Sequence, residues 1–293
     1  MKGSPLTGSA QIVKDRILAR RAELTAAERT LAEVLLKDYP VAGLQSVTRL
    51  AGAAGVSSPT VIRMARKLGF DGFTDLQNAL REEAAAQIRE PIARRAVWAA
   101  GTAEGHVLNQ FAEAVANNLR QTLDRVDAAT FDAVAALLAD PARRVQIAGG
   151  RITRSNADYL FNHLQIIRPD VTLLSQSANV WPQYILDMGP DTVLVLFDIR
   201  RYEADLARLA GLAAERGAEV VLFTDQWGSP LSSGAAHVFN AHVEAPSSWD
   251  STIAIMLLVE ALIAEVQAAR WDTAKDRIEA LEQMFSATRL FRG

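Results

Sequence analysis

The stretch VQIAGGRITRSNADYL, residues 145–160, carries the reading of the fold. Four residues of strand character run into Gly149 and Gly150, and a helical pattern follows. A strand, a glycine turn and a helix start make the layout of an anion cradle, because the free N–H groups of a helix N-terminus favour negative charge. Arg151 and Arg154 sit inside the turn. The motif alone leaves three readings open: the floor of an active site, a sensor pocket, or an ordinary turn.

Outward from this motif, short β-type runs recur at 171–174, 193–197, 220–224 and, more weakly, 237–239, with helical segments such as 130–139 and 204–216 between them. Strands alternating with helices predict an α/β domain, a five-stranded parallel sheet flanked by helices. Ligands of such sheets bind beyond the carboxyl ends of the strands, which singles out the loops 149–155, 175–179, 198–203 and 225–231. Residues 248–266 read as a helix that is apolar nearly all round, to be buried in its own domain or against another subunit. Residues 271–293 read as an amphipathic tail helix.

Toward the N-terminus the strand pattern disappears and an all-α domain is predicted. Thr25 and Glu28 form a capping-box pattern before Leu31, Val34 and Leu35,. Tyr39-Pro40 ends that helix. A second helix spans 47–54 with Ser46 as N-cap, Gly55 turns the chain, and a third helix spans 58–68 before the Gly69–Gly72 stop. Residues 84–125 are alanine-rich and helical, with breaks at Pro91 and 101–105, and read as a connecting region. The expected division is 1–83, a helical domain; 84–126, a helical linker; 127–267, the sheet domain; and 268–293, a helical tail.

Bulk properties narrow the chemistry. A chain of 293 residues suits about two domains,. The absence of cysteine excludes disulfides, thiolate catalysis and Cys-ligated zinc or iron–sulfur sites,. The four histidines, at 106, 163, 237 and 242, have no metal-ligand spacing, so neither a metal nor another cofactor is expected,. The first 16 residues lack the apolar core of a signal peptide, and the most apolar run, 253–259, is too short to span a bilayer. A cytoplasmic protein with no membrane partner is expected. The net charge is −3, unevenly spread: residues 1–83 hold 12 Lys+Arg against 9 Asp+Glu, a surplus of three, which leaves −6 for the remainder. That bias suits an N-terminal part that meets a polyanion.

Within the N-terminal part, LAGAAGVSSPTVIRMARKLGFDGF, residues 50–73, has the helix-turn-helix layout,. Val61, Met64, Ala65 and Leu68 fall on the inward face of its second helix. Thr60, Arg63 and Lys67 fall on the other, with Arg66 beside them. Ser57 can cap the helix and Pro59 suits its first turn. Ser58 and Thr60 at the helix start, with Arg63, Arg66 and Lys67, could meet phosphates or base edges. The plainer alternative is a surface helix with basic residues. The stretch resembles the N-terminal domain of the RpiR-type (MurR/RpiR) bacterial transcription regulators: LTAAERTLAEVLL resembles the family's early helix, and VSSPTVIRMARKLGFDGFTDL its recognition helix and exit turn. The resemblance implies double-stranded DNA as a partner and places Ser57, Ser58, Thr60, Arg63, Arg66 and Lys67 at or near it.

In that family a SIS (sugar isomerase) domain follows, and RRVQIAGGRITRSNADYL, DTVLVLFDIRRYEADLARLAGLAAERGAEVVLFTD and GSPLSSGAAHVF look like SIS segments in order. The resemblance implies a small anionic effector, typically a phosphorylated sugar, held by the loops after the first and third strands. The effector residues it points to are Gly149, Gly150, Arg151, Thr153, Arg200, Arg201 and Tyr202. Both loops depart from the usual pattern. Thr153 stands where serine is usual, Arg151 replaces a small residue, and FDIRRYEAD stands in place of a run of serines, glycine and threonine. Some regulators of the family carry an arginine–tyrosine loop of this type.

Two readings compete for the arginines. Arg151 with Arg200 or Arg201 could grip a phosphate or carboxylate bidentately, or they could pair with Asp158, Asp198 or Glu203 at the sheet rim. The leading functional expectation is a ligand-responsive, homo-oligomeric (dimeric or tetrameric) transcription regulator without catalytic activity. Its rivals are a SIS-type sugar-phosphate isomerase with Glu203 or Glu260 as base, and a constitutive repressor whose pocket no longer binds.

Overall fold

A computed structural model describes residues 12–100 and 106–289, and the chain divides into two compact units between Arg89 and Glu90. The expected break at 101–105, the N-terminal segment 1–11 and the end of the tail at 290–293 lie outside the described residues.

The first unit is all-helical: α1 (Val13–Ala19), α2 (Ala26–Lys37), α3 (Val47–Ala53), α4 (Ser58–Lys67) and α5 (Phe73–Ile88). The capping box of α2 is complete, with Glu28 N donating to the Thr25 hydroxyl and Thr25 N donating to the Glu28 carboxylate. Ser46 caps α3 through Arg49 N. Gly55 takes φ +63° between α3 and α4, a conformation cheap only for glycine,. Leu31, Leu35, Leu50, Val61, Met64, Leu68, Leu76 and Leu80 are all essentially buried and form one core. At the far side, the N-terminus of α1 is stitched to α5. Val13 N donates to the Glu83 carboxylate, and the Tyr39 hydroxyl donates to the same group.

The second unit opens with α6 (Pro91–Ala100), α7 (Val107–Leu123) and α8 (Ala128–Ala139). It then alternates β1 (Arg144–Gly149), α9 (Arg154–Ile167), β2 (Val171–Leu173), α10 (Trp181–Leu186), β3 (Thr192–Asp198), α11 (Ala204–Glu215), β4 (Glu219–Asp225) and β5 (His237–Ala241), and closes with α12 (Ile253–Ala269) and α13 (Trp271–Thr288). All five strands are parallel, in the order β2-β1-β3-β4-β5. Phe197, Phe223 and Phe239 are in register on adjacent strands and stack with centroids 4.7 and 4.9 Å apart. The alternate side chains, among them Leu194, Leu196, Val220 and Leu222, pack with Leu206, Leu209 and Ala213 of α11 and with Trp181 and Ile185 of α10.

One sequence expectation changes here and another narrows to one of its alternatives. The segment 84–126 is not simply a connector: α5 runs through its start to Ile88, and α7 packs on α12 and β5. Asn118 donates to the Glu244 carbonyl and His242 N to the Thr122 hydroxyl, so α7 belongs to the sheet unit. The apolar helix α12 is buried within its own unit against α7, α8 and α9, with Ile255, Leu258, Val259, Leu262 and Val266 inward and Ile253 exposed. No helix among the described residues is long and apolar enough to cross a membrane.

Candidate DNA-facing helix and anion crevice

The two candidate sites lie one in each unit. In the first, α4 shows a cationic outer face. Arg63 and Arg66 are exposed, as is Ser57 at the N-cap, and Ser58 is half-buried. Arg63 reaches back to the Thr60 hydroxyl at 3.2 Å, and Arg66 Nε donates to the Asp71 carbonyl at 3.3 Å. Three expectations are corrected. Thr60 is buried, because it lies one turn before Met64 and so shares the core-facing side of α4,. Ser57 makes no side-chain cap bond; its hydroxyl instead meets that of Thr60 at 2.9 Å. Lys67 does not stand free on the outer face. Its ammonium donates to the Glu28 carboxylate at 2.6 Å and to the Glu23 carbonyl at 3.0 Å, tying α4 to the start of α2. Burial of Glu28 opposes its ionisation, but Lys67 and the Thr25 capping bonds outweigh it and hold the carboxyl below its ordinary pKa.

In the second unit, β1 is followed by a connection to β2 on one side and β3 by a connection to β4 on the other. The chain therefore reverses its winding between β1 and β3, and a crevice opens beyond their carboxyl ends. The loop after β1 is drawn very tight. A Cβ on Gly149 would lie 2.6 Å from the Thr153 carbonyl oxygen, so only glycine fits. Gly150 N donates to the Thr153 hydroxyl at 2.9 Å, and that hydroxyl donates to the Phe197 carbonyl at 2.6 Å. Thr153 is thus buried and spent on joining β1 to β3.

The cradle already holds an anion, and it is the chain's own. Arg151 N donates to Glu203 Oε1 at 2.6 Å, with the same carboxylate against Gly150. Glu203 N in turn donates to Asp198 Oδ1 at 3.3 Å, and Ser229 Oγ donates to Asp198 Oδ2 at 2.5 Å. Burial pushes the Asp198 carboxyl up to about 6, against the lowering by Ser229 and Glu203 N.

The arginines divide between the two readings. Arg151 and Arg201 are exposed. Arg154, not Arg151, pairs with Asp158, at 2.7 Å, and it also donates to the Leu174 carbonyl. Arg200 is buried and pairs with none of the expected rim acids. Its Nε and Nη2 donate to both oxygens of Asp250 at 2.7 and 3.0 Å, and its guanidinium lies 4.3 Å over the Trp227 ring. Arg200 and Arg201 take φ of +26° and +57°, unusual for side-chain-bearing residues,. That turn is held by Asp225, which accepts from Arg200 N at 2.7 Å, Tyr202 Oη at 2.9 Å, and Trp227 N and Gly228 N at 3.1 Å each. Burial raises the Asp225 pKa above its ordinary value. Tyr202 therefore positions the loop.

Arg94 of α6 also reaches this end of the sheet, 2.8 Å from Asp250 Oδ1. Neither residue follows a strand in a recognisable motif, so the sequence carried no sign of them. The acids considered as catalytic bases are engaged, Glu203 with Arg151 N and Glu260 with the Tyr159 hydroxyl at 3.0 Å. Among the described residues no group of three or more His, Cys, Asp or Glu could hold a metal ion.

A helix-turn-helix unit with a cationic outer helix, joined in one chain to a parallel-sheet unit with a crevice at the ends of β1 and β3, defines a two-domain protein of the helix-turn-helix plus SIS class. Comparison with known proteins agrees. The helix-turn-helix domain of the rpiR family matches residues 12–87 and the SIS domain matches residues 138–265. The HTH-type transcriptional regulator HexR of Pseudomonas aeruginosa is 30% identical over 224 residues, 74% of either chain. The chain belongs to the rpiR family of helix-turn-helix transcriptional regulators. The "Bifunctional protein glk" of Burkholderia orbicola is 26% identical over 288 residues, and this chain spans only 43% of its length. Two solved structures share the fold. One is the sugar isomerase domain of an RpiR transcription factor from Sphaerobacter thermophilus, with TM-score 0.56 and 22% identity, over 60% of this chain and 97% of that one. The other is the Vibrio vulnificus NanR protein complexed with ManNAc-6P, with TM-score 0.57 and 19% identity, over 96% and 100%.

Proposed function

We propose that the chain represses or activates genes by binding double-stranded DNA through α4 and by sensing a small anionic metabolite, a sugar phosphate or another carbohydrate derivative, at the β1–β3 crevice. Ser57, Ser58, Arg63 and Arg66 contact DNA, with Thr60 and Lys67 fixing the helix that carries them. The Arg151 N–H group, on displacement of Glu203, and the side chains of Arg151, Arg200 and Arg201 receive the anion. The phosphosugar in the NanR complex, on a shared fold, supports that ligand class. The protein is cytoplasmic and acts as a homo-oligomer, dimer or tetramer, which sets two recognition helices at half-site spacing.

The observation that carries the reading is the contrast between the sites' free and committed charges. On α4 the guanidiniums of Arg63 and Arg66 are exposed, whereas the crevice acids Asp198, Glu203 and Asp225 all accept hydrogen bonds from the chain itself. A proton-transfer catalyst needs a base aimed at substrate, and these point at backbone and neighbours. Sensing requires only that the ligand favour one arrangement of the two units over another.

A second reading draws on Glu203 in the cradle: a constitutive repressor whose crevice is permanently filled. Selection of DNA from a random pool, with and without a library of phosphorylated sugars and organic acids, separates the two. The expected result is an enriched operator whose retention changes with one class of anion. Enrichment that no anion alters selects the constitutive reading. No enrichment at all, or turnover of any aldose or ketose phosphate, overturns the regulator without catalysis.

A further inference from the structure

Beyond the loops after β1 and β3, the crevice contains a second place for an anion. Arg94 of α6 and Arg200 of the loop after β3 are 6% and 9% exposed and converge on one carboxylate, that of Asp250. Two buried guanidiniums sharing one carboxylate form a costly arrangement. Desolvating the charges consumes much of what their attraction returns, so such a cluster is weak evidence of a purely stabilising role. Its construction is also specialised. Trp227 supports the face of Arg200,. The left-handed backbone of Arg200 and Arg201 aims the side chain, at a strain that tends to be kept where a site needs it,. The cluster stands beyond the ends of β3 and β4, where ligands of parallel sheets bind.

We propose that Arg94 and Arg200 form an anion clamp in which the Asp250 carboxylate is a resident stand-in, and that an oxyanion of the effector, a carboxylate or a phosphate, takes its place. The proposal rests on the ligand crevice described above and adds Arg94 and Asp250 to it. Addition without exchange is unfavourable. Asp250 already neutralises one guanidinium, Glu244 lies 3.8 Å from Arg200, and Asp225 accepts from its backbone N–H. Exchange, in contrast, frees Asp250 while the guanidiniums keep a partner of the same charge and geometry. Asp250 lies three residues before α12, and Arg94 lies in the first helix of the second unit, five residues after its boundary at Arg89. An anion that evicts Asp250 therefore acts on both segments at once, which gives the ligand a differential contact through which to select a conformation.

Inorganic phosphate is the probe, with calorimetric titration of the full chain. Asp250→Asn keeps the side-chain shape but removes the resident charge. It is expected to bind phosphate about tenfold more tightly than the wild type, the scale of unmasking one charge in a part-buried site. Adding Arg94→Gln to Asp250→Asn should abolish that gain. If Asp250→Asn does not fold, the wild type serves alone: phosphate is expected to shift the Arg94 and Arg200 Nε–H resonances, assigned through Arg94→Lys. Unchanged phosphate affinity in Asp250→Asn, a gain that survives loss of Arg94, or wild-type resonances that phosphate leaves in place would overturn the clamp. Phosphate that binds the wild type through Arg151 alone leaves the crevice standing and removes only the clamp. No binding to any variant, by phosphate or by phosphorylated sugars, removes both.

Discussion

Replacement of Glu83 by glutamine should remove most of the pH dependence of the helix-turn-helix unit's stability. Glu83 ends the stitch between α1 and α5, accepting from Val13 N at 2.8 Å and from the Tyr39 hydroxyl. Burial raises its pKa from 4.5 to about 7; the Tyr39 and Val13 hydrogen bonds oppose the rise, nearby Asp15 adds to it, and Arg16 opposes it weakly. The folded unit then holds a proton that the unfolded chain releases between these two values. Stability from this group is fully present below pH 4.5 and is lost as pH rises through 7,. Linkage over that interval gives a fall of about 2–3 kcal/mol between pH 5 and pH 8. Because all five tryptophans lie at 98 or beyond, fluorescence follows the second unit, so the test is amide exchange of α1 and α5, corrected for intrinsic rates. Wild-type protection should fall by that amount from pH 5 to pH 8, and Glu83→Gln should stay nearly level. A level wild type, or a slope that survives the substitution, refutes the assignment of a buried proton to Glu83.

Other expectations follow the same geometry. Arg63→Ala and Arg66→Ala should each weaken DNA binding and lower the slope of log affinity against log salt by about one, with little change in melting temperature; Lys67→Ala should instead cost stability through Glu28, on the order of 1 kcal/mol by denaturant titration. Thr153→Val removes the hydroxyl that bridges Gly150 N and the Phe197 carbonyl, and should lower the second unit's stability by about 1–3 kcal/mol in tryptophan-monitored unfolding, while Thr153→Ser restores most of it. Gly149→Ala drives a Cβ into the Thr153 backbone, whereas Gly150→Ala meets only the end of the Glu203 side chain. The first should lower the melting temperature of the second unit strongly, with a cost of about 1–3 kcal/mol or more, and the second only slightly; equal effects would contradict the loop geometry.

Local pattern was enough for much of this protein. The strand runs at 145, 171, 193, 220 and 237 all became strands of one parallel sheet; the three central ones, β1, β3 and β4, are largely buried and must be continuous apolar runs, with glycine and polar breaks around them that leave little choice,. The helix-turn-helix was legible for a similar reason: Gly55, Pro59 and the spacing of Val61, Met64, Ala65 and Leu68 specify a turn and a buried stripe. The same periodicity held the signal for Thr60, one turn before Met64. Partnerships across long sequence distances were not legible. Lys67 with Glu28, Glu203 with Arg151 N, and Arg94 with Asp250 join residues 39, 52 and 156 positions apart. Periodicity reports which face of an element is buried, but a charged side chain's partner depends on which elements the fold brings side by side. The sequence by itself thus determined the two folds and the family. Only the tertiary structure decided which charges stay free to meet a ligand, because burial makes an unpaired charge too costly to leave and each buried one must find its partner wherever the packed chain supplies it.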